Sequence, residues 1–321
     1  MREFAFEVAL CAHLEAEFEE IVSRQLGASL HGTRVMDIIH VEPGPAFDVR
    51  TAITPEEIPD RAIESRVGVG EARYWKKCFD CHPERARAVT DRALEIGFFE
   101  HERHGGREYV RQTARYPDDW FGKLVGIENK PDLGTPGDLE RQLRIDVSLG
   151  LLDEVVLATA SHVTGAHLNR IPDEVGIWLF DPDAGTRNVL REPTALSTTE
   201  SGIEICERGS SKTEIRPVTA TEKTRARRRL VERAYGKGWR TDEFPACARI
   251  ENGEFAGARG LPYCKWKGRF VHPGAECGAD CPGHEPAEPP DVDPERERDR
   301  RTPWVRDPEG RQRRQSGLDQ Y

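Results

Sequence analysis

Lysine is scarce in this chain: nine lysines stand against thirty-eight arginines in 321 residues, and methionine occurs twice. Aromatic residues are few, at 7%. Asp and Glu number 57 against 47 Lys and Arg, a net charge of −10. This is the balance of a salt-adapted protein. It excludes a generally basic nucleic-acid coat protein while leaving room for a local basic groove. No run approaches the ~18 apolar residues that a membrane span needs. Residues 1–20 carry acids where a signal peptide has a basic start and a small-residue cleavage site. A cytoplasmic location is therefore expected, with the eight cysteines as thiols or metal ligands rather than disulfides. What is present, 37% hydrophobic and 32% charged residues, suits two domains with a sizeable core.

Phe6, Leu10, Leu14, Phe18, Ile21 and Val22 recur at helical spacing, so one amphipathic helix is expected over 3–26, ended by Gly27. Residues 34–41 are apolar and β-branched on both sides of Asp37 and read as a buried strand, closed by Pro43, Gly44 and Pro45. These form the first domain segment, 1–53. Over 54–115 the texture changes. Thr54 is expected to start a helix, and 83–96 reads as a second, with Pro83 in its first turn and Gly97 after it. Residues 98–112 read as two strands about Gly105 and Gly106, a hairpin signal. Helices followed by a Gly-tipped hairpin resemble a winged helix-turn-helix. In 116–185, residues 121–130 read as a strand and 138–152 as a helix capped by Asp138. Residues 154–160 and 175–180 read as two more strands, an α/β order. Residues 186–240 divide into a weakly patterned linker and a basic helix from 222, carrying Arg225, Arg227, Arg228, Arg229, Arg233 and Lys237. A Gly-rich segment with four cysteines follows over 241–284. From 285 to 321, Pro and mixed charge predict a disordered tail.

Glu128 and Lys130, two apart in a strand, share one face. Charged side chains in an otherwise apolar strand are costly unless they bind something. A carboxylate there suits Mg²⁺ or Mn²⁺, and a neighbouring lysine can orient water and neutralise a phosphate. Such a site needs a second carboxylate from another strand. Asp37 fits, and Asp118 or Asp119, in the turn before the strand, ranks second.

On these residues the chain resembles the PD-(D/E)XK nuclease superfamily. The resemblance implies an α/β, restriction-endonuclease-like core: a mixed sheet flanked by helices, with the winged-helix-like module inserted. It places Asp37, Glu128 and Lys130 at the metal and catalytic positions; the backbone carbonyl of Asn129, between the last two, is a candidate further ligand. It also places Glu7 on the leading helix, with Glu3 or Glu20 as alternatives, and Gln142 on the helix after Glu128-Asn129-Lys130, as in RecB-type members. It implies hydrolysis of DNA phosphodiester bonds with Mg²⁺ or Mn²⁺. The alternative is a DNA-binding or regulatory protein with an inactive nuclease-like core. The stretch between Asp37 and Glu128 is far longer than the short hairpin usual in that superfamily, and an insertion over 54–115 accounts for it. The whole chain also resembles a haloarchaeal protein family without an assigned activity.

Cys247, Cys264, Cys277 and Cys281 lie in a segment poor in core residues, where Zn²⁺ held by thiolates would supply folding energy. Only Cys277 and Cys281 are closely spaced. His272 and His284 are alternative ligands, zinc ranks above an iron–sulfur cluster, and four ordinary thiols are the plain alternative. Cys78, Cys81 and His82 spell the c-type haem attachment string, but one copy without an export signal reads first as packing and second as a zinc pair. Within 83–111, Arg85, Arg87 and Arg92 would meet DNA phosphates from the helix, and Arg103, Arg107 and Arg111 from the hairpin. Glu84, Asp91 and Glu95 interrupt that charge, so a solvated face is the competing reading. The basic helix is a rival phosphate site. His162 and His167, near the end of the strand after the Gln142 helix, read first as structural and second as the edge of the site.

Overall fold

The structure, a computed structural model, describes residues 2–300 apart from 19, 136 and 209–211. The chain opens with α1 (Glu3–Glu17), then β1 (Ile21–Gly27) and β2 (Val35–Pro43). The single helix expected over 3–26 is therefore two elements. Phe18 is extended, at φ −118° and ψ 148°, and β1 pairs antiparallel with β2 from Ile21↔Val41 to Gly27↔Val35. Ile21 and Val22 mimic a helical stripe, yet they enter the cores on opposite faces of the sheet, as only a strand allows.

Between β2 and its next sheet neighbour the chain makes a long excursion. It contains α2 (Phe47–Thr51), α3 (Asp60–Ile63), β3 (Arg73–Tyr74), α4 (Pro83–Glu95), β4 (Phe99–His104) and β5 (Arg107–Gln112). The helix expected from Thr54 begins instead at Asp60. The Thr54 hydroxyl accepts the Glu56 N–H at 3.2 Å, making a local turn that competes with helix. The three strands form a small sheet of order β3-β5-β4, and α4 turns Ala86, Thr90 and Ala93 inward.

The main chain of the core resumes with β6 (Phe121–Asn129), α5 (Leu139–Leu149), β7 (Glu154–Thr159), α6 (Gly165–Leu168), β8 (Gly176–Asp181) and β9 (Thr186–Arg191). Together they complete a six-stranded mixed sheet of order β1-β2-β6-β7-β8-β9. β6, β7 and β8 run parallel and their outer neighbours antiparallel. α5 is shorter than expected. Asp138 makes no side-chain cap bond, and Gly150 ends the helix in the left-handed region at φ +56°. One face of the sheet packs under α1; the other carries the larger core, reached by Leu139, Leu143 and Leu149 of α5.

The stretch expected as an unpatterned linker holds β9 and a separate hairpin, β10 (Gly202–Arg208) with β11 (Thr213–Val218). Its pattern is weak because the ribbon leaves Ile203 and Ile215 about half exposed. Next, α7 (Ala220–Lys237) buries Ala226, Leu230, Val231, Ala234 and Tyr235. A third sheet follows, of order β12 (Ile250–Phe255), β13 (Ala258–Cys264), β14 (Arg269–Phe270), then α8 (Pro273–Glu276) and α9 (Pro294–Asp299). Of the stretch expected as a disordered tail, residues 285–300 are placed. Cys247 bridges Pro286, and Arg298 donates to the Gly236 carbonyl at 3.3 Å. Residues 301–321 lie outside the described residues. Among the described residues no helix is long and apolar enough to cross a membrane.

Candidate functional site

Strand pairing brings the sequence-predicted acids together. Ile38 of β2 pairs with Ile127 of β6, so Asp37 and Glu128 are neighbours across the two strands. The Asp37 Oδ2 accepts the backbone N–H of Asn129 at 2.8 Å. Its Oδ1 accepts from the Gln25 side chain at 3.2 Å, and the same amide donates to Glu7 Oε2 at 3.0 Å. Glu7 of α1 therefore belongs to the cluster, held also by Arg24 Nε at 2.6 Å. Of the alternatives, Glu3 lies 3.5 Å from the Lys130 ammonium, and Glu20 pairs with His40 at 2.6 Å. Asp118 and Asp119 precede the far end of β6, which begins at Phe121, roughly 23 Å from Glu128 at ~3.3 Å per strand residue. They cannot share an ion with Glu128.

Three acids of this corner are hard to ionise. Burial, then the neighbouring Asp37 charge, pushes Glu128 up to about 8 against the pull of Arg34. Burial raises Asp37 to about 6, with the Asn129 N–H opposing and Glu7 adding to the rise. Burial likewise lifts Asp146 to about 6. Arg34 reaches Glu128 at 2.6 Å and Asp146 at 2.8 Å. The two carboxylates outweigh its burial and hold it more firmly protonated.

Lys130, expected within the strand, follows its last residue Asn129 and is partly open to solvent, its backbone N–H bonded to the Ala158 carbonyl. Gln142 on α5 lines a cavity of about 320 Å³ with Arg34, Thr33, Asp138, Arg141 and Glu204. Asn129 turns its side chain into the core, where neither polar atom finds a partner among the described residues.

Sequence reasoning missed Arg34, Asp146 and Gln25. Asp146 had a signal: it interrupts the buried stripe Leu139, Leu143, Asp146, Leu149 of α5, one turn after Gln142. Gln25 had none. It sits at φ +53°, a left-handed conformation rare for such a residue, and its carbonyl accepts from Lys237 at 2.8 Å.

Several of the other candidates are engaged locally. His167 caps α6 with Thr164. The Cys78 thiol faces the Tyr74 carbonyl at 3.5 Å. On α7, Arg227 pairs with Asp153, Arg228 with Asp60, and Arg225 with Glu64, so this helix is largely neutralised. Among the described residues no three or more His, Cys, Asp or Glu side chains stand as a ready ligand set for one ion.

Residues 21–286 match the model of a family of unknown function (DUF5787), and the chain belongs to that family. No curated protein and no solved structure matches it.

Proposed function

We propose that this member of a family of unknown function hydrolyses DNA phosphodiester bonds with Mg²⁺ or Mn²⁺. The observation that carries the reading is the pair of half-buried Asp37 and buried Glu128 on adjacent strands, both carboxyls raised and Asp37 joined through Gln25 to Glu7. Crowded carboxylates that resist ionisation are what a site built around a cation looks like before the cation arrives. The donor set fits a hard ion: Mg²⁺ takes one or two carboxylates and completes its shell with water and substrate phosphate, so a full protein cage is not required.

Asp37 and Glu128 would hold the ion, with the Asn129 carbonyl as a further oxygen. When bound, the ion would lower the pKa of a water and stabilise charge on the phosphate. Gln25 and the Asn129 N–H fix the Asp37 carboxylate so that its lone pairs need no reorganisation. Lys130, partly exposed at the strand end, is free to swing from Glu3 to a phosphate oxygen. Gln142 and Arg141 would guide the strand along the cavity beside Arg34. The test is nicking of supercoiled plasmid and of single-stranded DNA with Mg²⁺ or Mn²⁺. Asp37→Asn and Glu128→Gln are expected to remove cutting, and Lys130→Ala to slow it about 100-fold or more. Undiminished cutting in all three variants would sink the proposal.

One observation favours the second reading, a DNA-binding protein with an inactive core. Arg34 already supplies a cation to Glu128 at 2.6 Å. On that reading DNA is retained without cleavage, and neither metal alters the protein's melting temperature.

A further inference from the structure

The C-terminal sheet is packed on two sides. Ala258 and Leu261 of β13, with Phe255 and Phe270, join the core under α1. The cluster on the other side is Cys247, Ile250, Cys264 and Val271, with Phe244 and Cys277 packed against it. Two of these four buried residues are cysteines, so little apolar surface is left there to hold the turns and the loops after β14.

The backbone nonetheless delivers four cysteines to this corner. Cys247 lies just ahead of β12, and its carbonyl accepts the Ile250 N–H at 3.0 Å. Ile250 pairs with Cys264 at the end of β13, and Cys264 pairs with Arg269 of β14. The Cys264 carbonyl accepts the Gly268 N–H at 2.8 Å, in a turn where Gly268 takes φ +63°. Each of these cysteines thus leads a tight turn, and strand pairing sets the turns side by side.

Cys277 is placed by its neighbour. The Glu276 carboxylate is gripped by Arg269, by Arg2 at 3.0 Å, by Lys267 at 3.4 Å and by the His272 N–H at 3.2 Å. This holds the end of α8 against β14. Cys281 returns in the next loop, where its N–H bonds the Gly278 carbonyl at 3.1 Å. Trp266, from the turn after Cys264, covers that loop at Gly283, where a Cβ would clash with the indole. All four are free thiols. Burial first, and then Cys264, Cys281 and Cys247, raise the Cys277 thiol, while Lys267 opposes them.

We propose that Cys247, Cys264, Cys277 and Cys281 bind one structural Zn²⁺. Zinc in proteins takes four ligands tetrahedrally and favours thiolate sulfur. Binding would release four protons to solvent and leave a net charge of −2 on the centre. Lys267 and Arg269, beside the cluster, are placed to offset that charge. His272 is committed elsewhere: its ring packs on Phe4 at 5.1 Å and lies 3.7 Å from Asp242. Among the described residues the four side chains do not stand as a closed ligand set. Binding would draw them together, with Cys264 on a paired strand and Cys277 and Cys281 in the loop after α8.

The experiment is elemental analysis of the full chain purified without chelators or an affinity metal. One zinc per chain is expected, lost in Cys264→Ser and Cys281→Ser and kept in Cys11→Ser and Cys206→Ser. Since a ligand variant can fail to fold, cobalt exchange of the unaltered protein gives a second reading. A tetrahedral tetrathiolate spectrum is expected, with sulfur-to-cobalt charge-transfer bands. Zinc well below stoichiometric with all four thiols reactive in folded protein would overturn the proposal, as would iron with labile sulfide in its place. None of these readouts depends on nuclease activity.

Discussion

Asp37, Glu128 and Asp146 make the protein's response to pH a property of single residues. Their carboxyls titrate near 6, 8 and 6 in the fold, against about 4 in an unfolded chain. Between those values the folded state binds more protons than the unfolded one. The stability they contribute is therefore complete below about pH 4 and is lost as pH rises through 6 and then 8. A divalent cation at Asp37 and Glu128 would replace the protons and reverse the loss. Mn²⁺ is accordingly expected to raise the melting temperature more at pH 8 than at pH 5.5. Metal-free Asp37→Asn at pH 8 is expected to melt no lower than the unaltered protein, because it relieves crowding with Glu128 and Glu7. It should also lose the Mn²⁺ increment. Equal increments at both pH values, or an increment surviving in Asp37→Asn and Glu128→Gln alike, would refute the cation site.

At the scale of elements, a buried ion pair helps to tie the long excursion to the core, beside the α3–α7 pairs of Asp60 and Glu64. Arg50 of α2, fully buried, donates to Glu232 of α7 at 2.8 and 2.6 Å and to the Thr54 and Glu56 carbonyls. Glu232 also accepts from the Tyr116 hydroxyl at 2.8 Å and the Ile58 N–H at 2.9 Å. Arg50→Ala would strand that carboxylate, and a loss of about 3–5 kcal/mol in urea unfolding is expected. The double variant Arg50→Ala/Glu232→Ala should lose less than the two single losses combined; strict additivity would show that the pair is not coupled. None of this was readable in the sequence, where Arg50 and Glu232 are two ordinary charges 182 positions apart. What was readable has a local cause. Apolar β-branched runs marked β2, β6, β7 and β8, Pro83 and Gly97 bounded α4, and Gly105-Gly106 marked the turn between β4 and β5. The division between α1 and β1 escaped because a helix stripe and a strand buried on both faces share apolar spacing at Phe18, Ile21 and Val22. Asp37 and Glu128 were legible as lone acids inside such runs. Arg34 and Gln25 were not, since only tertiary contact distinguishes them.

For the whole molecule, the net charge of −10 bears on the proposed DNA partner. The arginines of α7 are largely spent within the fold, so a broad basic face is not on offer. The β3-β5-β4 sheet with α4 is little different: Arg87 pairs with Asp91 and Glu108, Arg92 with Glu56 and Glu95, and Arg111 with Glu100. Arg85 on α4 and Arg103 on β4 are exposed and make no ion pair among the described residues. If this module contacts DNA, they are, with exposed Arg107 over the Tyr74 ring, among the arginines already available to phosphate. Each phosphate neutralised steepens the fall of log K with log salt by about 0.9. The paired variant Arg85→Ala/Arg103→Ala is thus expected to flatten the salt slope of DNA retardation by about 2. Asp37→Asn, which adds no positive side chain and removes none, should leave the slope nearly unchanged. A slope unaltered in the arginine variant would confine DNA contact to the six-stranded core, and Lys130 and Arg141 would become the residues to test next.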